Sequence, residues 1–211
     1  MADNQEQSDL HPGGQVHERY TMQEGKLHGT VSSYAPTGQL LHTAEFTQGV
    51  LNGETVTYND DGSVAQKANY KEGKLEGEML TFLAARPSMK ALYKDGKQEG
   101  ETIFYAATGA VVAKAAYKAG KLNGISSWFS PEGRLLKTSL YRDGLLNGET
   151  IEYFPNGKIK TASVYKDDLL HGEVKTYGED GKLKQTASYQ NGKPAPPPAA
   201  PKPAVPPVKK K

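Results

Sequence analysis

Polar and apolar positions alternate along most of the chain. Between residues 54 and 58, Glu54, Val56 and Tyr58 point one way, and Thr55 and Thr57 the other. After a short polar break, Val64, Gln66, Ala68 and Tyr70 share a face, with Ala65, Lys67 and Asn69 opposite. A period of two between glycine-bearing breaks predicts β-hairpins. One aromatic per unit marks the recurrence: Phe46, Tyr70, Tyr93, Tyr117, Tyr141, Tyr165 and Tyr189, at steps of 24, 23, 24, 24, 24 and 24 residues. One step earlier lies Met22, which begins the first unit. A second aromatic follows twelve residues later, at Tyr34, Tyr58, Phe82, Tyr105, Phe129, Tyr153 and Tyr177. These two columns hold 14 of the 18 aromatic residues, so the rings belong to the repeat rather than to a scattered core.

Glycine keeps the same grid. Gly25, Gly49, Gly73, Gly96, Gly120 and Gly144 stand three residues past the anchor, and Asp168 takes that place in unit seven. Four residues further come Gly29, Gly53, Gly77, Gly100, Gly124, Gly148 and Gly172. Asn-Gly pairs begin at 52, 123, 147, 156 and 191, and both residue types tolerate positive φ, so each pair is expected to reverse the chain. The expected fold is all-β: an elongated, single-layer antiparallel β-meander of about seven 24-residue hairpin repeats. Fourteen or so strands at about 4.8 Å would extend about 65 Å. Unit three is one residue short and has Arg86 beside Pro87 in place of a turn glycine, which predicts an altered turn there. Gln98 also departs from the grid, replacing the leucine of the K-L-x-G turn.

YKEGKLEGE (70–78), YKAGKLNGI (117–125) and YRDGLLNGET (141–150), each followed by an aromatic and the last two by a second glycine turn, resemble MORN repeats, above all the bacterial MORN-variant repeat of antitoxin-type proteins. The resemblance covers residues 20–192. It implies hairpins stacked into a long sheet. It also implies one of two roles: an antitoxin or immunity protein that binds and blocks a toxin, or a scaffold or membrane-surface organiser.

Composition narrows the chemistry. The chain is 36% hydrophobic and 24% charged, too polar for a thick two-layer core. It has no cysteine, so disulfides, thiolate metal sites and a cysteine nucleophile are excluded. The net charge of +2 divides into an acidic start (Asp3, Glu6, Asp9, Glu18 against Arg19), a neutral middle and a basic end (Lys193, Lys202, Lys209, Lys210, Lys211). A neutral middle lacks the clustered cations that nucleic acid requires. Residues 1–15 read as a disordered N-terminal segment, 16–192 as the repeat domain and 193–211 as a proline-rich basic tail that does not pair in a sheet. The tail reads either as a tether or docking peptide, or as a solubilising end. No leader segment is visible, so the expected location is cytoplasmic, or periplasmic if a leader was removed. Exposed terminal strands leave dimeric or end-to-end association open.

No enzyme signature accompanies the repeat, and no catalytic, cofactor-binding or metal-binding residue is assigned. The Gly-Lys pairs are followed by Leu, Gln, Ile or Pro, never by the hydroxyl residue of a phosphate loop. His11, His17, His28, His42 and His171 lack ligand spacing and are expected to be solvated. Glu54, Glu78, Glu101, Glu149 and Glu173 form one column, expected to face turn lysines. The off-grid aromatics are more informative. Phe104 and Trp128 each precede a grid aromatic in adjacent units, and Phe154 follows one. Alternation places all three opposite the tyrosine ladder, either as an exposed partner site or as the lining of a curled sheet. The sequence thus points to a non-catalytic protein-binding repeat, with a cognate toxin as the implied partner and Phe104, Trp128 and Phe154 as its contacts.

Overall fold

The structure is a computed structural model and describes residues 5–196. It is all-β, twenty antiparallel strands in one open sheet, and the chain runs through the sheet in sequence order, the short pieces Lys26–Leu27, Lys97–Gln98 and Lys121–Leu122 sharing a row with the strand that follows each. No helix among the described residues is long and apolar enough to cross a membrane. Three rows are each broken by a single residue, at His28, Glu99 and Asn123.

Two kinds of turn alternate at the two ends of the strands. At one end, two-residue loops join pairs such as Thr47 and Val50. Both loop residues have positive φ, as at Gln48 (51°) and Gly49 (81°), the type I′ pattern that matches the twist of the flanking strands. At the other end, three-residue loops dominate. In one of them Asn59 N–H donates to Ser63 O and Gly62 N–H donates back to Asn59 O. Unit three breaks this rule. Its outer loop is a two-residue turn, Ala84–Ala85, with φ of 49° and 59°, closed by Leu83 and Arg86. The missing residue has therefore converted a three-residue loop into a second type I′ turn.

The second glycine of each unit does not reverse the chain. Gly29, Gly53, Gly77, Gly100, Gly124, Gly148 and Gly172 lie within the strand rows at a bulge, each opposite the next anchor aromatic, as Gly53 lies opposite Tyr70. Of the five Asn-Gly pairs, those at 156 and 191 reverse the chain, while those at 52, 123 and 147 occupy bulges. Each bulge tilts its turn onto the previous one. Gly49, Gly73, Gly96, Gly120, Gly144, Asp168 and Gly192 donate their N–H to the residue-27, 51, 75, 98, 122, 146 and 170 carbonyls, at 2.8–3.0 Å. A backbone hydrogen bond thus links every unit to the one before it.

The ends differ from the expected boundaries. Gln5–Leu10, expected to be disordered, pairs with Val16–Gln23. Lys193–Ala195, expected in the unpaired tail, forms the last strand, with Pro194 opposite Tyr189. Proline is accepted there because this is an edge. The rest of the tail lies outside the described residues.

The buried layer is thin. Ala68, Ala91 and Ser139 are fully covered, and Thr102 and Ser126 nearly so. These small residues form a central row beside the anchor row, where Tyr70, Tyr117, Tyr141 and Tyr165 each pair with a turn leucine, while Tyr93 pairs with Gln98. Successive anchor tyrosines are separated by an intervening strand that carries leucine and glycine, rather than stacked ring on ring.

Candidate binding face

The pairing register settles which side chains share a face. Across a strand pair, opposed residues point the same way. Thr55 faces Ala68 and Thr57 faces Gln66, so both lie with Tyr70. The second aromatics take the other face by alternation. The two aromatic columns therefore occupy opposite faces.

This corrects the placement of Phe104 and Trp128. Phe104 opposes Ala113, and Ala113 opposes Trp128. Ala113 lies four residues before Tyr117, on the same face. Phe104 and Trp128 therefore share the anchor tyrosines' face instead of the opposite one. Phe154 does not join them in their row. It opens a turn, where its N–H donates to Lys158 O and its carbonyl accepts from Gly157.

The row containing Phe104 and Trp128 runs unbroken across the sheet. It begins with His42, Thr57, Gln66 and Thr81. Met89, Phe104, Ala113 and Trp128 follow. Lys137, Glu152 and Thr161 then restore polarity. Both rings are half-buried. Lys137 Nζ lies 5.1 Å from the centre of the Trp128 ring, a cation–π contact. A four-residue apolar stretch thus interrupts a polar row on a rigid ladder.

The opposite face has its own irregularity. Glutamates of the repeat column pair there with strand lysines, not with turn lysines. Lys67 approaches Glu54 at 3.8 Å, Lys114 approaches Glu101 at 3.2 Å, and Lys90 contacts Glu78. The hydrogen bond to Glu78 raises the Lys90 pKa. In unit five, Ile125 replaces the glutamate and is 61% exposed. It opposes Leu140, and with Ile151 and Tyr153 the pair lines a shallow depression of about 350 Å³. Ile125 was not singled out in the sequence, although an isoleucine in a glutamate column is a readable signal.

No group of three or more His, Asp or Glu residues among the described residues is placed to hold a metal ion. His28 and His171 sit at bulges, not in solvated turns, and their Nδ1 atoms are buried without partners. They belong to units one and seven, far apart in the strand order. The bulge position otherwise braces the next turn: Glu76 accepts from Asp95 N–H and Glu99 from Ala119 N–H, both at 2.8 Å.

Four segments of the chain, residues 27–48, 51–72, 146–167 and 170–191, match the family model described as MORN repeat variant. The match supports the repeat type read from the sequence. The matched segments flank residues 73–145, where unit three is shortened and where Phe104, Ile125 and Trp128 lie. No curated protein matches the chain. Among solved structures, a TcdB2–TccC3–Cdc42 complex is 12% identical over 89% of this chain, with a TM-score of 0.18, and this chain spans 12% of the length of that one. A protein of unknown function from Bacteroides fragilis is 9% identical over 79% of this chain and 95% of its own, with a TM-score of 0.14.

Proposed function

We propose that this chain is a non-catalytic binding protein that captures a protein partner on the anchor-tyrosine face of units four to six. The observation that carries the reading is the Met89–Phe104–Ala113–Trp128 stretch, apolar within an otherwise polar row. Aromatic anchors on a pre-organised surface bind with little ordering cost, and tryptophan is prominent among residues that dominate binding energy. Phe154, at the neighbouring turn, extends the contact. The mechanism is occlusion: a sheet held by hairpins covers the partner's working surface without reacting with it. The resemblance to bacterial MORN-variant repeats favours a toxin as the partner, which makes the chain an antitoxin or immunity protein.

Capture with the product of an adjacent gene, followed by titration, tests this reading. Trp128→Ala and Phe104→Ala are expected to weaken affinity by about tenfold or more each. Unchanged affinity in both variants overturns the site. Growth arrest by the neighbouring product alone, relieved by this chain, supports the antitoxin reading. Salt-sensitive binding to anionic vesicles that disappears without residues 193–211 supports a membrane-surface organiser in its place.

A further inference from the structure

The face opposite the anchor tyrosines changes character at Ile125. In the three hairpins before it, the row nearest the two-residue turns opposes lysine to lysine: Lys71 to Lys74, Lys94 to Lys97 and Lys118 to Lys121. After it, the same row opposes Leu145 to Arg142 and Leu169 to Lys166. The next row carries Ile125 against Leu140, where unit two holds Glu54 against Asn69, and Val164 follows against Glu149. Ile125, Leu140, Leu145, Val164 and Leu169 are all exposed, and they stand on five consecutive strands, from Gly124–Phe129 to Leu169–Tyr177. We propose that this patch is the contact of a two-fold dimer, in which a second copy of the chain lays the same patch upon it face to face. The proposal does not rest on the reading of the other face.

The patch has the size and shape for it. Five strands at about 4.8 Å, by about 20 Å from the Leu145 row to the Tyr153 row, cover about 1,000 Å² over two copies, the lower limit of a specific interface. Contiguous apolar patches of several hundred Å² mark contact sites. Two sheets pack about 10 Å apart with their facing side chains interdigitated. The depression lined by Ile125, Leu140, Ile151 and Tyr153 receives such side chains.

Charge identifies a second copy as the occupant. In units two to four each glutamate of the column is matched by a strand lysine. For Glu149 the matching position is Ala162, opposite Ile151. Lys175, whose field reaches Glu149, is held by Glu173 at 2.8 Å. Among the described residues, Glu149 has no cation within 4 Å, and Arg142 and Lys166 have no carboxylate within 4 Å. Arg142 and Lys166 stand two residues after Leu140 and Val164, so they share this face. One patch thus carries an unmatched anion and two unmatched cations around an apolar centre. A partner of a single charge leaves one sign unmatched. A two-fold operation presents the patch with its own copy, so each sign is met twice. The dimer is closed, and it leaves the Phe104–Trp128 row of each copy facing outward.

Sedimentation equilibrium of the full chain, over about a hundredfold range of concentration, tests this. The expected result is a reversible monomer–dimer equilibrium with no larger species. Each substitution acts on both copies, so Ile125→Lys and Val164→Lys are each expected to raise the dimer dissociation constant by about tenfold or more. Urea midpoints of each serve as a folding control. Glu149→Lys and Arg142→Glu/Lys166→Glu each leave a patch of one sign, and each is expected to weaken self-association by about fivefold or more. A mixture of these two chains is expected to form a heterodimer tighter than either forms alone. Trp128→Ala, on the other face, is expected to leave the equilibrium unchanged. A monomer at every concentration overturns the proposal and gives the patch to another molecule or to another part of this chain. Dimers unaffected by Ile125→Lys and Val164→Lys, dimers lost in Trp128→Ala, assemblies larger than two, or a mixture no tighter than its components each overturn it as well. No partner takes part, so a negative result leaves the partner reading intact, and a failed partner titration leaves this result standing.

Discussion

Asp168 and Leu146 exchange two hydrogen bonds across 22 residues. Asp168 N–H donates to Leu146 O at 3.0 Å, and Leu146 N–H donates to Asp168 Oδ1 at 2.7 Å. The first is the link that every unit makes to the one before it. The second belongs to the aspartate, which holds a position that is otherwise glycine at φ +66°. A non-glycine residue there costs about 1 kcal/mol, and a net hydrogen bond contributes about as much. Asp168→Ala keeps the strain and loses the bond, so it is expected to destabilise by about 1 kcal/mol. Asp168→Gly loses both and should be nearly neutral. Urea denaturation of the two variants checks the difference. A larger loss for glycine than for alanine would show that the backbone strain is absent.

The bulge glycines face a harder constraint. Gly148 sits at φ +128°, and a Cβ there would come within 2.6 Å of Leu140 Cδ2 and 3.2 Å of its Cβ. At Gly133, φ is +80° with nothing within 4 Å. Gly133→Ala is expected to cost about 1 kcal/mol from conformation alone. Gly148→Ala adds a clash on the exposed Ile125–Leu140 surface and should cost at least twice as much. Paired unfolding curves give the ratio, and equal costs would refute the close approach.

The shortened unit carries removable strain. Ala84 and Ala85 both hold positive φ, in a turn that favours Asn-Gly. Ala85→Gly is expected to stabilise by about 1 kcal/mol, and adding Ala84→Asn should increase the gain. A fall in the urea midpoint of the single variant would mean the turn is not type I′.

The repeat, its period and its β-hairpins were legible because alternation and glycine spacing report backbone geometry directly. The role of Gly53 was not. Positive φ is common to turns and bulges, and the sequence around Asn52–Gly53 does not reveal that the strand continues beyond it. That ambiguity carried over to the faces. Phe104 and Tyr105 alternate as expected, but only the opposition of Phe104 to Ala113 shows which aromatic column Phe104 accompanies. The paired N-terminal strand was hidden for another reason: Gln5–Leu10 is exposed throughout and polar up to Leu10, so burial leaves no alternation to read.

The anchor tyrosines make the sheet sensitive to alkali. Burial, followed by the neighbouring Tyr117 and Tyr70, raises the Tyr93 pKa above the ordinary 10.0. Burial, followed by Asp168 and Tyr117, does the same for Tyr141. The folded state therefore prefers the neutral phenol. Its contribution is complete below about pH 10 and is lost as pH rises through the folded-state values. Tyr93→Phe/Tyr141→Phe is expected to flatten this alkaline decline, read by unfolding midpoints against pH. An unchanged alkaline limb would assign the sensitivity elsewhere.

Among the described residues, the C-terminal edge is closed by chemistry rather than by a covering element. Asn191 and Gly192 form a two-residue turn with φ of 50° and 77°, closed by Gln190 and Lys193. In such a hairpin the closing pair shares both hydrogen bonds, so Lys193 and Ala195 turn their backbone inward and residue 194 turns outward. Residue 194 is proline, which offers no N–H to an incoming strand. Pro194→Thr restores that donor in a residue suited to strands. Sedimentation at matched concentrations is expected to show a larger associated fraction for this variant than for the unaltered chain. Equal fractions would mean that the edge is protected without the proline.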